Sequence, residues 1–190
     1  HRSTLGRADS DRRGWRMKLG IILLALGLAA CAPREAVHCN ASVEREVAFT
    51  ALGAHDIVTA RTLGPSCDKT ILVYVIASED GHPLWAWTAP AARAFGDAFA
   101  GADAVRAFLE RWASPRIERT SAAPAWPLPD GARTTLDRLT YQDIRARDLP
   151  MLCHYSGTGA ETCVFWEPAA AGAGHLLDRD APEEATPSQN

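Results

Sequence analysis

The chain has 190 residues, 20 basic and 23 acidic, with a formal net charge of −3 and 47% hydrophobic residues. Residues 1–30 hold six of the basic and two of the acidic residues, so the remainder carries 14 against 21, and Lys69 is its one lysine. A chain this acidic, with no basic stripe, excludes a nucleic-acid binder.

The chain starts with "HRSTLGRADSDRRGWR", which lacks an initiating methionine and reads as an upstream extension over 1–16, either untranslated or unstructured. Arg12 and Arg13 precede an apolar run, but Gly14, Trp15, Arg16 and Met17 fit a twin-arginine signal poorly. From Met17 the text becomes "MKLGIILLALGLAACAPREA". Lys18 supplies a positive start, Leu19 to Leu28 are mostly apolar, and Ala29 and Ala30 are small. This is a secretory signal pattern over 17–30, too short to span a bilayer as a helix.

Its end, Leu28-Ala29-Ala30-Cys31, resembles the bacterial lipobox. The resemblance implies that Cys31 becomes the N-terminus, carries a diacylglycerol thioether and is N-acylated. Multiple acyl chains anchor stably, since each buried methylene contributes about 0.8 kcal/mol. The partner so implied is a membrane, reached through Cys31, with the domain facing the periplasm of the cell envelope. Ala32 replaces the aspartate that retains enteric lipoproteins at the inner membrane, which favours the outer one.

A tether follows over 31–41, and apart from Cys31 four cysteines remain. In an oxidising compartment an even count reads as two disulfides. The expected pairs are Cys39–Cys67 and Cys153–Cys163. In "MLCHYSGTGAETCVFW" a hairpin centred on Thr158 places Cys153 opposite Cys163, Met151 opposite Phe165 and Leu152 opposite Val164. Gly157-Thr158-Gly159 then forms a three-residue loop with glycine for the left-handed position. Directly opposed positions lie within disulfide reach. With its late C-x9-C pair preceded by Leu149-Pro150, the mature part resembles small bacterial envelope lipoproteins, and that resemblance implies no particular activity.

Alternation predicts strands at Val43–Thr50 and Asp56–Leu63. "TILVYVIAS", Thr70 to Ser78, is β-branched and apolar at successive positions and predicts a central strand buried on both faces. Pro83–Ala89 returns antiparallel beyond the Glu79–His82 turn. In "DAVRAFLERWA", Val105, Phe108, Leu109 and Trp112 form one helix face with Asp103 as N-cap. After a proline-rich irregular segment, Thr135–Arg147 predicts a second helix with Leu136, Leu139, Tyr141 and Ile144 inward. The hairpin strands follow at Pro150–Tyr155 and Thr162–Glu167, then a short edge strand in "AGHLLDR". The reading is one α+β domain over 42–178, with a mainly antiparallel sheet and two helices mid-chain, followed by an acidic disordered tail over 179–190.

Trp85, Trp87 and Trp126 are candidate ligand-binding aromatics for a glycan, weighed against plain core packing. Glu79, Asp80 and His82 are read as a solvated turn rather than a cation site. Tyr141, Asp143, Arg145, Arg147 and Asp148 are read as a polar helix face whose ion pairs contribute little. His38-Cys39 and Cys153-His154 lack zinc-ligand spacing, and Ser156 lacks a nucleophile elbow. No catalytic residue, metal ligand or cofactor is assigned, because no paired carboxylates, phosphate loop, H-E-x-x-H or calcium loop occurs. The expected function is a non-enzymatic envelope lipoprotein that binds or scaffolds an envelope protein or glycan. The alternatives are a cell-wall hydrolase and an inhibitor of a secreted enzyme.

Overall fold

The computed structural model describes residues 39–96, 99 and 101–182. In chain order these form β1 (Ala41–Val47), β2 (Asp56–Leu63), β3 (Ile71–Ala77), β4 (Pro83–Pro90), α1 (Ala91–Phe95) and α2 (Ala102–Trp112). Then come β5 (Arg116–Arg119), α3 (Arg138–Ala146), β6 (Pro150–Gly157), β7 (Ala160–Glu167) and β8 (Gly172–Asp180). The fold is α+β and weighted toward β. There are two antiparallel sheets rather than one, with orders β1-β2-β3-β4 and β5-β6-β7-β8.

Period-two alternation decides what each strand buries. On β2 the buried positions are Asp56, Val58, Ala60 and Thr62, and on β3 they are Leu72, Tyr74 and Ile76. The other side of β3, with Ile71, Val73 and Val75, is half-buried or exposed. The expectation that β3 is buried on both faces is therefore corrected: its outer side, at Ile71, Val73 and Val75, is half-buried or exposed, and among the described residues the first core lies on its other side. The second sheet is the one sandwiched on both sides. Met151 to His154 on β6 and Thr162 to Phe165 on β7 are buried in unbroken runs.

Two cores result. The first unites Val58, Leu72, Tyr74 and Ile76 of the first sheet with Leu109 and Trp112 of α2 and Leu152 and Val164 of the second sheet. The second lies on the opposite face of the second sheet, where Met151, Cys153, Cys163 and Phe165 meet Tyr141 and Ile144 of α3.

α2 buries the face its spacing demands, α3 buries Tyr141 and Ile144 of its expected face, and both helices start at other residues than expected. Gly101 precedes α2, and Asp103 lies in its first turn without capping it. A carboxylate there still favours the positive end of the helix. Asp137 caps α3, accepting from Leu139 N and Thr140 N at 2.9 and 3.0 Å. Leu139, expected inward, is 77% exposed. It sits two residues, roughly 200° of helix, from the buried Tyr141.

The hairpin register is as the sequence requires: Met151 faces Phe165, Leu152 faces Val164 and Cys153 faces Cys163. The turn is tighter than expected. Pairing shifts between Tyr155 and Gly157, so Gly157 pairs with Ala160 and the connection shrinks to Thr158-Gly159. Gly159 takes the left-handed position, φ 67°. Arg179 and Asp180, assigned to the tail from sequence, belong to β8.

Candidate functional site

His154 is the centre of a polar cluster inside the first core. It is 2% exposed and stacks on Tyr74 with ring centroids 4.3 Å apart. Trp85 Nε1 donates to its Nε2 at 3.3 Å, and its Nδ1 lies 2.9 Å from the Tyr155 carbonyl. A ring that accepts at Nε2 must be protonated at Nδ1, so Nδ1–H donates to that carbonyl. Both nitrogens are engaged. Burial lowers its pKa to about 4, although the Tyr155 carbonyl and Asp178 work the other way. Burial likewise pushes the Tyr74 phenol up. Trp87 and Trp112 close the cluster edge-on, and Trp112 Nε1 donates to the Tyr155 carbonyl at 2.8 Å.

A small cleft of about 40 Å³ adjoins this cluster, lined by Trp112, Pro115, Arg116, Cys153, His154 and Glu161. Glu161 is 3% exposed and ion-paired to both Arg116 and Arg179, the latter at 2.6 Å. Arg179 also reaches Glu118 at 3.0 Å. Burial opposes the Arg179 charge, but the two glutamates outweigh it and raise its pKa. The row arises because Arg116 on β5, Glu161 on β7 and Arg179 on β8 share one face of the second sheet, Arg116 reaching across β6. A ligand pocket typically measures about 300–1,000 Å³, so a cleft of this size admits water rather than a substrate.

Trp85 and Trp87 pack half-buried against the first core. Trp126, 36% exposed, lies by Tyr141 at the second core, with centroids 6.0 Å apart. The three tryptophans do not form one platform. Glu79, Asp80 and His82 are exposed around the turn at Gly81. On the helix, Tyr141 is fully buried with its hydroxyl donating to the Pro124 carbonyl at 2.9 Å, so it leaves the expected polar face. Arg147 of that face pairs with Glu167 at 2.6 Å. Cys153, Cys163 and Glu161 converge, but the two sulfurs are joined in a disulfide, with Cα atoms 4.0 Å apart. Cys39 and Cys67 are joined likewise, at 5.2 Å. Cys31 lies outside the described residues.

The open outer face of the first sheet is the other notable surface. Registered rows run Arg61–Val73–Thr88, Thr59–Val75–Ala86 and Leu63–Ile71–Pro90. Leu63 is 39% and Ile71 47% exposed. Sequence reasoning missed this face because an apolar run on β3 signals burial on both sides. It missed the His154 cluster because a histidine beside a cysteine draws attention to metal chemistry. The available signal was the alternation Leu152-Cys153-His154, which puts His154 on the first-core face. Among the described residues no helix is long and apolar enough to cross a membrane. Comparison with protein-family models, curated proteins and solved structures finds no match for the chain.

Proposed function

We propose that this chain is a bacterial envelope lipoprotein, anchored through Cys31, whose domain binds an envelope protein without catalysing a reaction. The observation that carries the reading is the uncovered outer face of the first sheet, apolar along Val73 and Val75, with Glu44 and Glu46 exposed on its β1 edge. Uncovered apolar surface of this kind marks interaction sites. The hydrolase reading finds less support, because His154 has both ring nitrogens engaged and Glu161 is clamped between two guanidiniums.

Affinity capture from native envelopes tests the proposal. Wild-type protein should retain a partner that a Val75→Lys variant of unchanged circular dichroism loses. Equal capture by both proteins would remove the binding face from consideration.

A further inference from the structure

The chain leaves the expected anchor and enters the fold at one corner of the first sheet, and that corner is held rigid. Cys39 is bonded to Cys67 in the β2–β3 connection. Thr62 Oγ1 donates to the Cys39 carbonyl, and Gly64 N donates to Asn40 Oδ1 at 2.8 Å. The connection itself is tight: a Cβ on Gly64 would lie 2.4 Å from the Lys69 carbonyl oxygen, so only glycine fits. Ala91 N donates to the Thr70 carbonyl at 2.8 Å, which holds α1 and its exposed Arg93 against the same connection.

This corner is both apolar and cationic. Leu63 and Ile71 are a registered cross-strand pair, exposed by 39% and 47%. Arg61, Lys69 and Arg93 are exposed around them; among the described residues the nearby acidic side chains are Asp68 and Glu44, the latter diagonal to Arg61 across the β1–β2 pairing. The far end of the sheet has the opposite character, with Glu46, Glu79 and Asp80 exposed. Net acidity therefore hides a polarity along the strands. The tether is also short: Cys39 comes eight positions after Cys31, a reach of at most about 29 Å when fully extended.

We propose that this corner rests on the anionic phospholipid bilayer that holds the Cys31 acyl chains. Leu63 and Ile71 enter the interface, Arg61, Lys69 and Arg93 meet the headgroups, and the acidic end points away. The proposal rests on the lipoprotein reading and adds an orientation to it. Apolar side chains beside cations is the arrangement that interfacial binding requires.

The test uses the full lipidated protein in phosphatidylethanolamine vesicles containing phosphatidylglycerol and a phospholipid with a photoactivatable acyl chain. After irradiation, lipid adducts should map to the peptides holding Leu63 and Ile71. Lys69→Gln should weaken docking about fivefold, the equivalent of one surface cation. Leu63→Ser with Ile71→Ser should abolish the adducts, whereas Leu52→Ser, at the acidic end, should change nothing. Leu52 is the control because it is fully exposed and apolar yet lies at the wrong pole. Adducts on the 48–55 segment, or none on an acylated protein, would overturn the docking while leaving the anchor. No lipid adducts in wild type, together with loss of a captured protein partner in the Leu63/Ile71 variant, would assign the corner to that partner. Intact mass showing Cys31 without acyl chains would overturn the lipoprotein reading and the docking with it.

Discussion

Lowering the pH from 7 to 5 should destabilise this protein, chiefly through His154. The unfolded imidazole titrates near its ordinary 6.5, and burial holds the native one at about 4. Between those values the unfolded chain binds nearly one proton that the native state does not, so stability falls as pH falls. It is fully present above 6.5 and fully lost below about 4. The difference between pH 7 and pH 5 is about 2 kcal/mol, out of about 3 for the whole window. His55 runs the other way, since its hydrogen bond to Glu46 raises its pKa, but both side chains are exposed. Urea unfolding of the oxidised protein, followed by tryptophan fluorescence, reads the effect directly. With a slope near 2 kcal/mol/M, the midpoint should drop by about 1 M. His154→Phe keeps an aromatic ring against Tyr74 but has no proton to bind. It should start less stable, because Trp85 Nε1 loses its acceptor, and its midpoint should stay nearly flat over the same range. Parallel falls in wild type and variant would refute the reasoning, as would an imidazole at position 154 titrating near 6.5 by NMR.

Replacing Cys153 and Cys163 with serine should cost about 3 kcal/mol, the value for a closed loop this short. The hairpin should keep the Met151–Phe165 and Leu152–Val164 pairings, read by amide exchange. Ile76→Asp should prevent accumulation of folded protein, because it forces a charge into the first core. Val75→Asp, one position along on the open face, should fold with a loss of about 1 kcal/mol, and expression with circular dichroism separates the two. Glu161→Ala leaves Arg116 and Arg179 side by side and should cost about 3 kcal/mol in chemical denaturation.

Register and pairing were legible in the sequence wherever alternation was strong. Cys153 and Cys163 fall opposite each other because Met151, Leu152, Val164 and Phe165 tolerate only one alignment of two apolar strands. The extra residue at Ser156 was invisible, because a bulge depends on how twist and turn accommodate each other rather than on any residue type. β5 was missed for a different reason. Arg116-Ile117-Glu118-Arg119 has a single apolar residue, Ile117, and that side chain is 43% exposed. Its pairing with β6 and its ion pairs come from tertiary partners distant in sequence. The Glu161 cluster escaped notice for the same reason, since its members lie 45 and 18 residues apart. Leu139 shows the limit of counting helical positions: the Asp137 cap set the start of α3, and the start set which side chains turned inward.

The bond between Cys39 and Cys67 has a mechanical meaning. β1 is an edge strand at the N-terminal end of the described fold, paired to β2 alone within its sheet. A pull on the chain before Cys39 would otherwise act on the first hydrogen bond at Ala41 and peel the strand off one pair at a time. The disulfide takes the load two residues earlier and delivers it to the β2–β3 connection, hence to two interior strands at once. Tension along the tether then has to shear several pairs together rather than open them in sequence. Reducing that one bond should turn a resistant attachment into one that unzips at low force.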